Sequence, residues 1–334
     1  MDSLTQFVLG ASVGEAVLGK KVGNKAIVWG GIAGTIPDLD VFLNNFYNEI
    51  DALLLHRGFS HSIFFPILAA PILGFLISKI HKDVGAKQWS LLFFWSLITH
   101  PLLDLFTGYG TGLLVPFYNV RFQLDTIFII DPLYTLPPLV AVISILFIKR
   151  NNVKRALVLK IGLVISHLYL CITIFNKLYV DSIVIENIEE EQIVAKRFMT
   201  SPSPFNNILW WALIEKEDEF LVGYISLLDS QNNIEFKSID KGHNLISGLK
   251  PNAQIEVLEK FTKGYFVVKP SGNNLIFNDL RFGTVAGWFD LSKDYIFSFD
   301  IQEINGNIYV KRRPAIRDLS KEDFNRLLTR LKGI

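Results

Sequence analysis

Only one cysteine, Cys171, occurs in 334 residues, and it lies inside an apolar run. That excludes a disulfide framework and a thiolate metal cluster. Charge is scarce too. Lys, Arg, Asp and Glu make up 19% of the chain and nearly cancel, leaving a formal net charge of +1. Nucleic-acid binding needs a basic stripe, and none is present. There is no internal repeat and no low-complexity segment. The opening Met1-Asp2-Ser3-Leu4-Thr5-Gln6 has no basic n-region and no cleavage site, so no removable signal peptide is expected.

Hydrophobic residues are plentiful, at 50% of the chain with 27 Phe, and the mean hydropathy is +0.33. Charge is also unevenly spread. Residues 1–176 carry 13 Lys/Arg and 10 Asp/Glu, which leaves 20 and 22 for residues 177–334. The chain therefore divides into a helical membrane domain, 1–176, and a soluble domain, 177–334. The expected fold is a polytopic α-helical membrane domain of about four spans plus two shorter N-terminal helices, followed by a mainly β (α+β) domain.

Residues 4–18 and 26–43 are the shorter helices, the second broken by Pro37. Residues 63–80, 89–106, 127–148 and 156–175 are apolar enough and long enough to span. Basic residues concentrate at Lys20–Lys25, Lys79–Lys87 and Lys149–Arg155, which the positive-inside rule assigns to the cytoplasm. Asp2, Asp38, Asp40, His56, His61, Asp125 and Asp131 then fall at or near the outer face, with His100 and Asp104 in the nearer half of their helix. Glu15 lies nearer the cytoplasmic side and has no assigned role. The protein is expected in the bacterial cytoplasmic (inner) membrane, multi-pass, with residues 177–334 extracytoplasmic.

Beyond residue 179 the pattern turns strand-like. Runs at 180–188, 192–198, 209–215, 220–227, 255–258, 265–269, 275–280 and 308–311 alternate or cluster β-formers between Gly- and Asn-rich turns. A helix returns at 320–331, with Ser320 as its N-cap. Trp210-Trp211 reads either as an aromatic lip at the membrane surface or as domain core.

The chemistry lies in the first half. His100 and Asp104, four apart, share one helix face, as metal ligands on a helix must; a hydrogen-bonded core pair is the bland alternative. His56 and His61 flank a turn permitted by Gly58, and Arg57 between them can meet an anionic substrate or a carboxylate. Asp38 and Asp40, two apart after Pro37, point the same way if the segment is extended; otherwise one caps the next helix. Asp125 and Asp131 precede the third span. Imidazole and carboxylate without thiolate suit a divalent ion, zinc first and manganese or iron next. One ion or two is compatible with this donor set.

Pro37-Asp38-Leu39-Asp40, His56-Arg57-Gly58-x-Ser60-His61-Ser62, Thr99-His100-x-x-Leu103-Asp104 and Gly108-Tyr109-Gly110-Thr111 with Pro116-Phe117 together resemble the YdjM-like family of membrane-bound, predicted metal-dependent hydrolases. The resemblance covers roughly residues 1–176. It implies distant similarity to the helical fold of zinc-dependent phospholipase C and related nucleases, hence zinc and a phosphoester. It also implies His56, His61, His100, Asp104, Asp38 and Asp40 as ligands, with Asp2 and Asp131 as partners. Gln6 stands where many members have His, and glutamine is a poor zinc ligand.

The expected function is hydrolysis of a phosphoester or ester in a membrane-lipid or envelope-derived substrate, with Asp38 or Asp40 as general base and Arg57 steadying the anion. The alternative is a non-catalytic membrane protein with a structural metal site and a partner-binding outer domain. A transporter is disfavoured, because the polar groups gather at one face and not at the midplane.

Overall fold

The computed structural model describes residues 1–305, 307–314 and 320–333. The chain forms two compact units. One comprises 1–43, 55–176 and 204–207; the other comprises 44–54, 177–203 and 208–334.

The first unit is helical. Helices α1 (Ser3–Val22) and α2 (Asn24–Thr35) are followed by a 3₁₀ segment (Ile36–Phe46) and α3 (Glu49–Leu55); residues 44–54 of this stretch belong to the second unit. Then come α4 (Phe64–Ile80), α5 (Ala86–Asp104), α6 (Pro132–Leu146) and the start of α7 (Val153–Glu190). Glycine brings α1 and α2 together. A Cβ on Gly10 would stand 2.4 Å from the carbonyl oxygen of Gly30, and one on Gly14 2.3 Å from that of Ala26. Backbones approach this closely only where side chains are absent, the small-xxx-small arrangement of membrane helices. Beneath this pair, Trp89, Leu92, Phe93 and Leu97 of α5 are buried with Leu18 and Ala26. The unit's outer faces remain apolar and exposed: Ile67, Ile72 and Phe75 on α4, Leu136 and Val140 on α6, Leu157, Ile161 and Leu168 on α7.

By length and apolarity, two helical stretches among the described residues can cross a membrane, Asn24–Leu43 and Val153–Glu190. Glu49–His61 with Phe64–Ile80 adds a third if that pair is one bent span. The expected count of about four is not reached on this criterion. Residues 26–43, expected to form a short helix, qualify because Pro37 does not end the run: it enters the first turn of a 3₁₀ continuation, where its missing N–H costs little. The 127–148 run yields only the fifteen-residue α6. Asp131 as N-cap and Pro132 at the first helical position fix its start.

The second unit is an antiparallel sheet domain. Strands β1 (Arg197–Pro202), β2 (Leu209–Glu215), β3 (Glu219–Ser226) and β4 (Lys237–Asp240) form one sheet in that order. Strands β5 (Phe266–Ser271), β6 (Asn274–Asp279), β7 (Ser298–Ile304) and β8 (Asn307–Arg313) form the other. Helices α8 (Asn244–Ser247) and α9 (Ala253–Phe261) lie between them in sequence, and α10 (Lys321–Leu331) follows. Strand β2 reads Leu-Trp-Trp-Ala-Leu-Ile-Glu because both its faces are covered. Trp210, Ala212 and Ile214 meet Val180, Ile183 and Val184 of α7, whereas Trp211 and Leu213 join Val267, Leu280 and Trp288. The tryptophans are therefore domain core and not a surface lip.

Three strand expectations are corrected. Of residues 192–198 only Arg197 and Phe198 enter a strand, β1, which runs on to Pro202. Residues 180–188 continue α7: Val180, Ile183, Val184 and Asn187 are buried at a helical spacing that their β-branched neighbours obscure. Residues 255–258 belong to α9, whose N-cap Asn252 accepts from the amides of Gln254 and Ile255. The Ser320-capped helix forms as expected.

Candidate metal centre

Three side-chain atoms converge in the helical unit. The Nε2 atoms of His61 and His100 are 3.1 Å apart, and Asp38 Oδ1 lies 3.4 Å from each. Both imidazoles are fully buried, while Asp38 keeps 20% of its side chain exposed. Ligands about 2.1 Å from a tetrahedral centre stand about 3.4 Å apart, so this triangle has the dimensions of one face of such a site. A second carboxylate oxygen, Asp104 Oδ2, stands 3.6 Å from His61 Nε2 and 3.8 Å from His100 Nε2. It is buried and makes no hydrogen bond among the described residues, its nearest cation being Arg57 Nε at 3.1 Å.

Both rings are held in one tautomer. His100 Nδ1 faces the main-chain oxygen of Gly34 at 2.6 Å, and a carbonyl can only accept. His61 Nδ1 faces Ser60 Oγ at 3.0 Å, and that hydroxyl gives its own proton to Asp40 Oδ2 at 2.7 Å. Each Nδ1 therefore carries hydrogen, and in the neutral rings each Nε2 turns a lone pair toward the other. Two such lone pairs at 3.1 Å beside two carboxylates call for a positive charge among them, a proton shared by the rings or a metal ion. The donor set thus fits a divalent ion: two neutral imidazoles and one or two carboxylates, with outer hydrogen bonds fixing the rings.

Asp40 organises the loop beside this triangle. Its Oδ1 is 2.8 Å from His56 Nδ1; its Oδ2 accepts from Ser60 and, at 3.1 Å, from the Arg57 amide, with His61 Nδ1 at 3.4 Å. Arg57 has φ +60, a left-handed conformation that is costly for a non-glycine residue. It is pinned there by Asp40 and by the Gly112 amide on its carbonyl, 2.9 Å away. The Arg57 guanidinium is buried against Asp104, donates to Thr107 Oγ1 at 2.9 Å and lies 4.9 Å over the Tyr109 ring. His56, a quarter exposed, packs edge-on to Tyr109 and to His61.

The structure thus brings Asp38, His61 and His100 together, with Asp104 next to them. It places Asp40 and His56 one step outside, although the sequence reading made them ligands. In a 3₁₀ segment, residues two apart point about 120° from each other, so Asp38 and Asp40 reach opposite sides of His61. Arg57 is turned to Asp104 and not to an open anion site. Asp2 and Asp131 stand apart from the cluster as helix caps. Asp2 accepts from the amides of Leu4 and Thr5, and Asp131 accepts from those of Leu133 and Tyr134 and from the Tyr169 hydroxyl. Gln6 donates to Asp104 Oδ1 at 2.8 Å, and Asp104 also meets the Met1 amine. Sequence reasoning missed Gly34, which acts through its backbone, and Ser60, whose adjacency to His61 was the available signal.

A helical unit with long apolar helices and a buried His/Asp cluster defines a membrane protein with a candidate metal site. The chain belongs to the YdjM inner membrane protein family, which matches residues 1–180. It is similar to the uncharacterized protein YfhP of Bacillus subtilis (strain 168), 30% identical over 153 residues, covering 42% of this chain and 45% of that protein. It is also similar to the inner membrane protein YbcI of Escherichia coli (strain K12), 34% identical over 108 residues, covering 31% of this chain and 62% of that protein. Neither relative is matched over two thirds of its own length. No solved structure matches the chain.

Proposed function

We propose that this chain is a membrane-embedded metal-dependent hydrolase acting on a phosphoester or ester of a lipid-like or envelope-derived substrate, with zinc held by Asp38, His61 and His100. The observation that carries the reading is the triangle of His61 Nε2, His100 Nε2 and Asp38 Oδ1, with sides of 3.1, 3.4 and 3.4 Å, each ring being held by a hydrogen bond at its Nδ1. A bound divalent ion supplies a Lewis acid that polarises the scissile group and acidifies water. Two imidazoles and one carboxylate leave a coordination position open, the pattern of catalytic and not of closed structural sites. Asp38, the one partly exposed member, marks the side from which substrate enters.

His56 is the proton carrier in this reading, replacing Asp38 and Asp40 in that role. Asp40 fixes its Nδ1, orienting the other ring nitrogen, and the ring stands 5.8 Å from that of His61. Arg57 holds Asp104 in place and balances its charge. Orientation rests on the basic connections. Lys25 pairs with Asp83, and Arg150 donates to the Lys21 carbonyl, so all three basic stretches gather at one end of the helical unit. Gln6 and Lys20 separate the two ends by about 20 Å along α1. With the basic end cytoplasmic, the cluster opens outward. The exposed apolar faces of α4, α5, α6 and α7 favour four crossings despite the shortness of α6, beside the α1–α2 pair whose second helix is itself long and apolar enough to cross, and residues 177–334 then lie outside the cytoplasm.

Elemental analysis of detergent-purified protein, wild type beside His61→Ala and His100→Ala, tests the site. One equivalent in wild type and a loss of at least tenfold in occupancy in both variants is expected. Hydrolysis of a panel of phosphoesters and carboxylic esters tests the chemistry, and stoichiometric metal without turnover on any of them would mean a structural centre.

A further inference from the structure

A cavity of about 880 Å³ opens at the basic end of the helical unit, between α1 and the first turns of α7. Its charged lining is Lys20, Arg150, Arg155 and Lys160 against a single carboxylate, Glu15. That carboxylate is already occupied: Arg155 grips it through Nε at 2.6 Å and Nη2 at 2.8 Å, and Arg155's remaining donors go to the carbonyls of Ile145 and Ile148 and to Asn24. Lys20 and Lys160 form no ion pair with an acidic side chain among the described residues. The lining, four cations against one carboxylate, therefore carries a net formal charge of +3. Its other wall is apolar, formed by Ala16, Leu163 and Val164.

We propose that this cavity binds the headgroup of an anionic phospholipid, with an acyl chain running along Leu163 and Val164. Lys160 is the decisive residue. It sits seven residues into α7, about 10 Å from the start of the helix, among the exposed Leu157, Ile161 and Val164. A cation at that depth on an apolar face needs a nearby anion or a path to the interface. A phosphodiester seated between Lys20, Arg150 and Lys160 supplies the anion. The amide-bearing first turn of α7, whose residue Val153 also lines the cavity, adds a favourable dipole. Free phosphate would use the cations but gain nothing from the apolar wall. Basic pockets between helices on the cytoplasmic side recognise acidic lipids by this combination, and the inference stands independently of the metal centre.

The test uses the full chain in an uncharged detergent, titrated with phosphatidylglycerol, phosphatidylcholine or inorganic phosphate. Bound lipid is counted by native mass spectrometry and the melting temperature is followed in parallel. Phosphatidylglycerol should give discrete adducts and raise the melting temperature, while the other two should do neither. The double variant Lys20→Gln/Lys160→Gln should bind phosphatidylglycerol about ten- to thirtyfold more weakly, and Lys311→Gln, in β8, should bind as wild type does. Equal binding of phosphatidylcholine, unchanged affinity in the double variant, or an equal response to inorganic phosphate would each overturn the proposal. Should the double variant purify poorly, the phosphatidylglycerol-to-phosphatidylcholine occupancy ratio of Lys160→Gln alone decides the matter: a ratio equal to wild type is a refutation.

Discussion

Replacing Asp40 by asparagine separates the two aspartates that the chain places two residues apart. Asp40 accepts from Ser60 and the Arg57 amide and faces the Nδ1 atoms of His56 and His61, yet lies outside the triangle of Asp38, His61 and His100. Its removal should leave all three ligand atoms present but free the His61 ring to turn and its tautomer to change. Outer hydrogen-bond partners of this kind are worth about 10- to 100-fold in metal affinity, or about 1.4–2.8 kcal/mol. Asp38→Asn removes a charged ligand outright and should lose more. Chelator competition at fixed pH, read by elemental analysis after desalting, gives both numbers on the same scale. Asp40→Asn should hold metal stoichiometrically at saturation with a dissociation constant 10- to 100-fold higher, while Asp38→Asn stays substoichiometric. Equal losses in the two would make Asp40 a direct ligand and refute the division drawn here; wild-type affinity in both would remove the cluster from consideration as a metal site.

Arg155→Leu should destabilise the detergent-solubilised protein by about 3–5 kcal/mol, because it leaves Glu15 buried and unpaired. Adding Glu15→Leu should restore much of that, and a single variant as stable as the double would contradict the account. Gly30→Val puts a Cβ 2.4 Å from the Gly10 carbonyl, and the overpacking should cost about 1–3 kcal/mol or more, read as a lower melting temperature together with weaker metal retention. In the second unit, burial would raise the Glu215 carboxyl, but hydrogen bonds from Lys241 at 2.7 Å and Arg197 at 2.5 Å outweigh it and hold it below the usual range. Its contribution is thus present above the unfolded carboxyl value of about 4.3 and lost as pH falls through the folded one. Glu215→Gln should lower the melting temperature at pH 7 and match wild type near pH 3; a gap that persists at pH 3 would remove the charge from the explanation.

How much of this was legible in the sequence depended on where the information is carried. The His100/Asp104 pair, the helical character of the first half and strand β2 follow from spacing and from an unbroken apolar run. The separation of Asp38 from Asp40 does not, because it turns on a 3₁₀ geometry that Pro37 permits without announcing; an extended chain would have aimed both the same way. His56 and His61 flank the same turn, and only the fold distinguishes the ring that meets His100 from the one that meets Tyr109. Residues 180–188 of α7 look strand-like because β-branched Val and Ile dominate them, while the contacts with Trp210 and Ile214 that favour a helix come from far along the chain. Asp2 and Asp131, which the family resemblance implied as partners, each lie one residue before a helix and accept from its first amides.

The partner of His100 is not a side chain. Its Nδ1 hydrogen goes to the Gly34 carbonyl, and that oxygen is delivered by the close crossing of α1 and α2, where a Cβ on Gly34 would stand 2.4 Å from the Gln6 carbonyl. No codon change at position 34 can delete the acceptor; it can only push the two helices apart. One ring of the cluster is therefore tuned by the distance between two backbones, and residues with no chemistry of their own, Gly10 and Gly30 among them, become remote dials on how tightly an ion would be held.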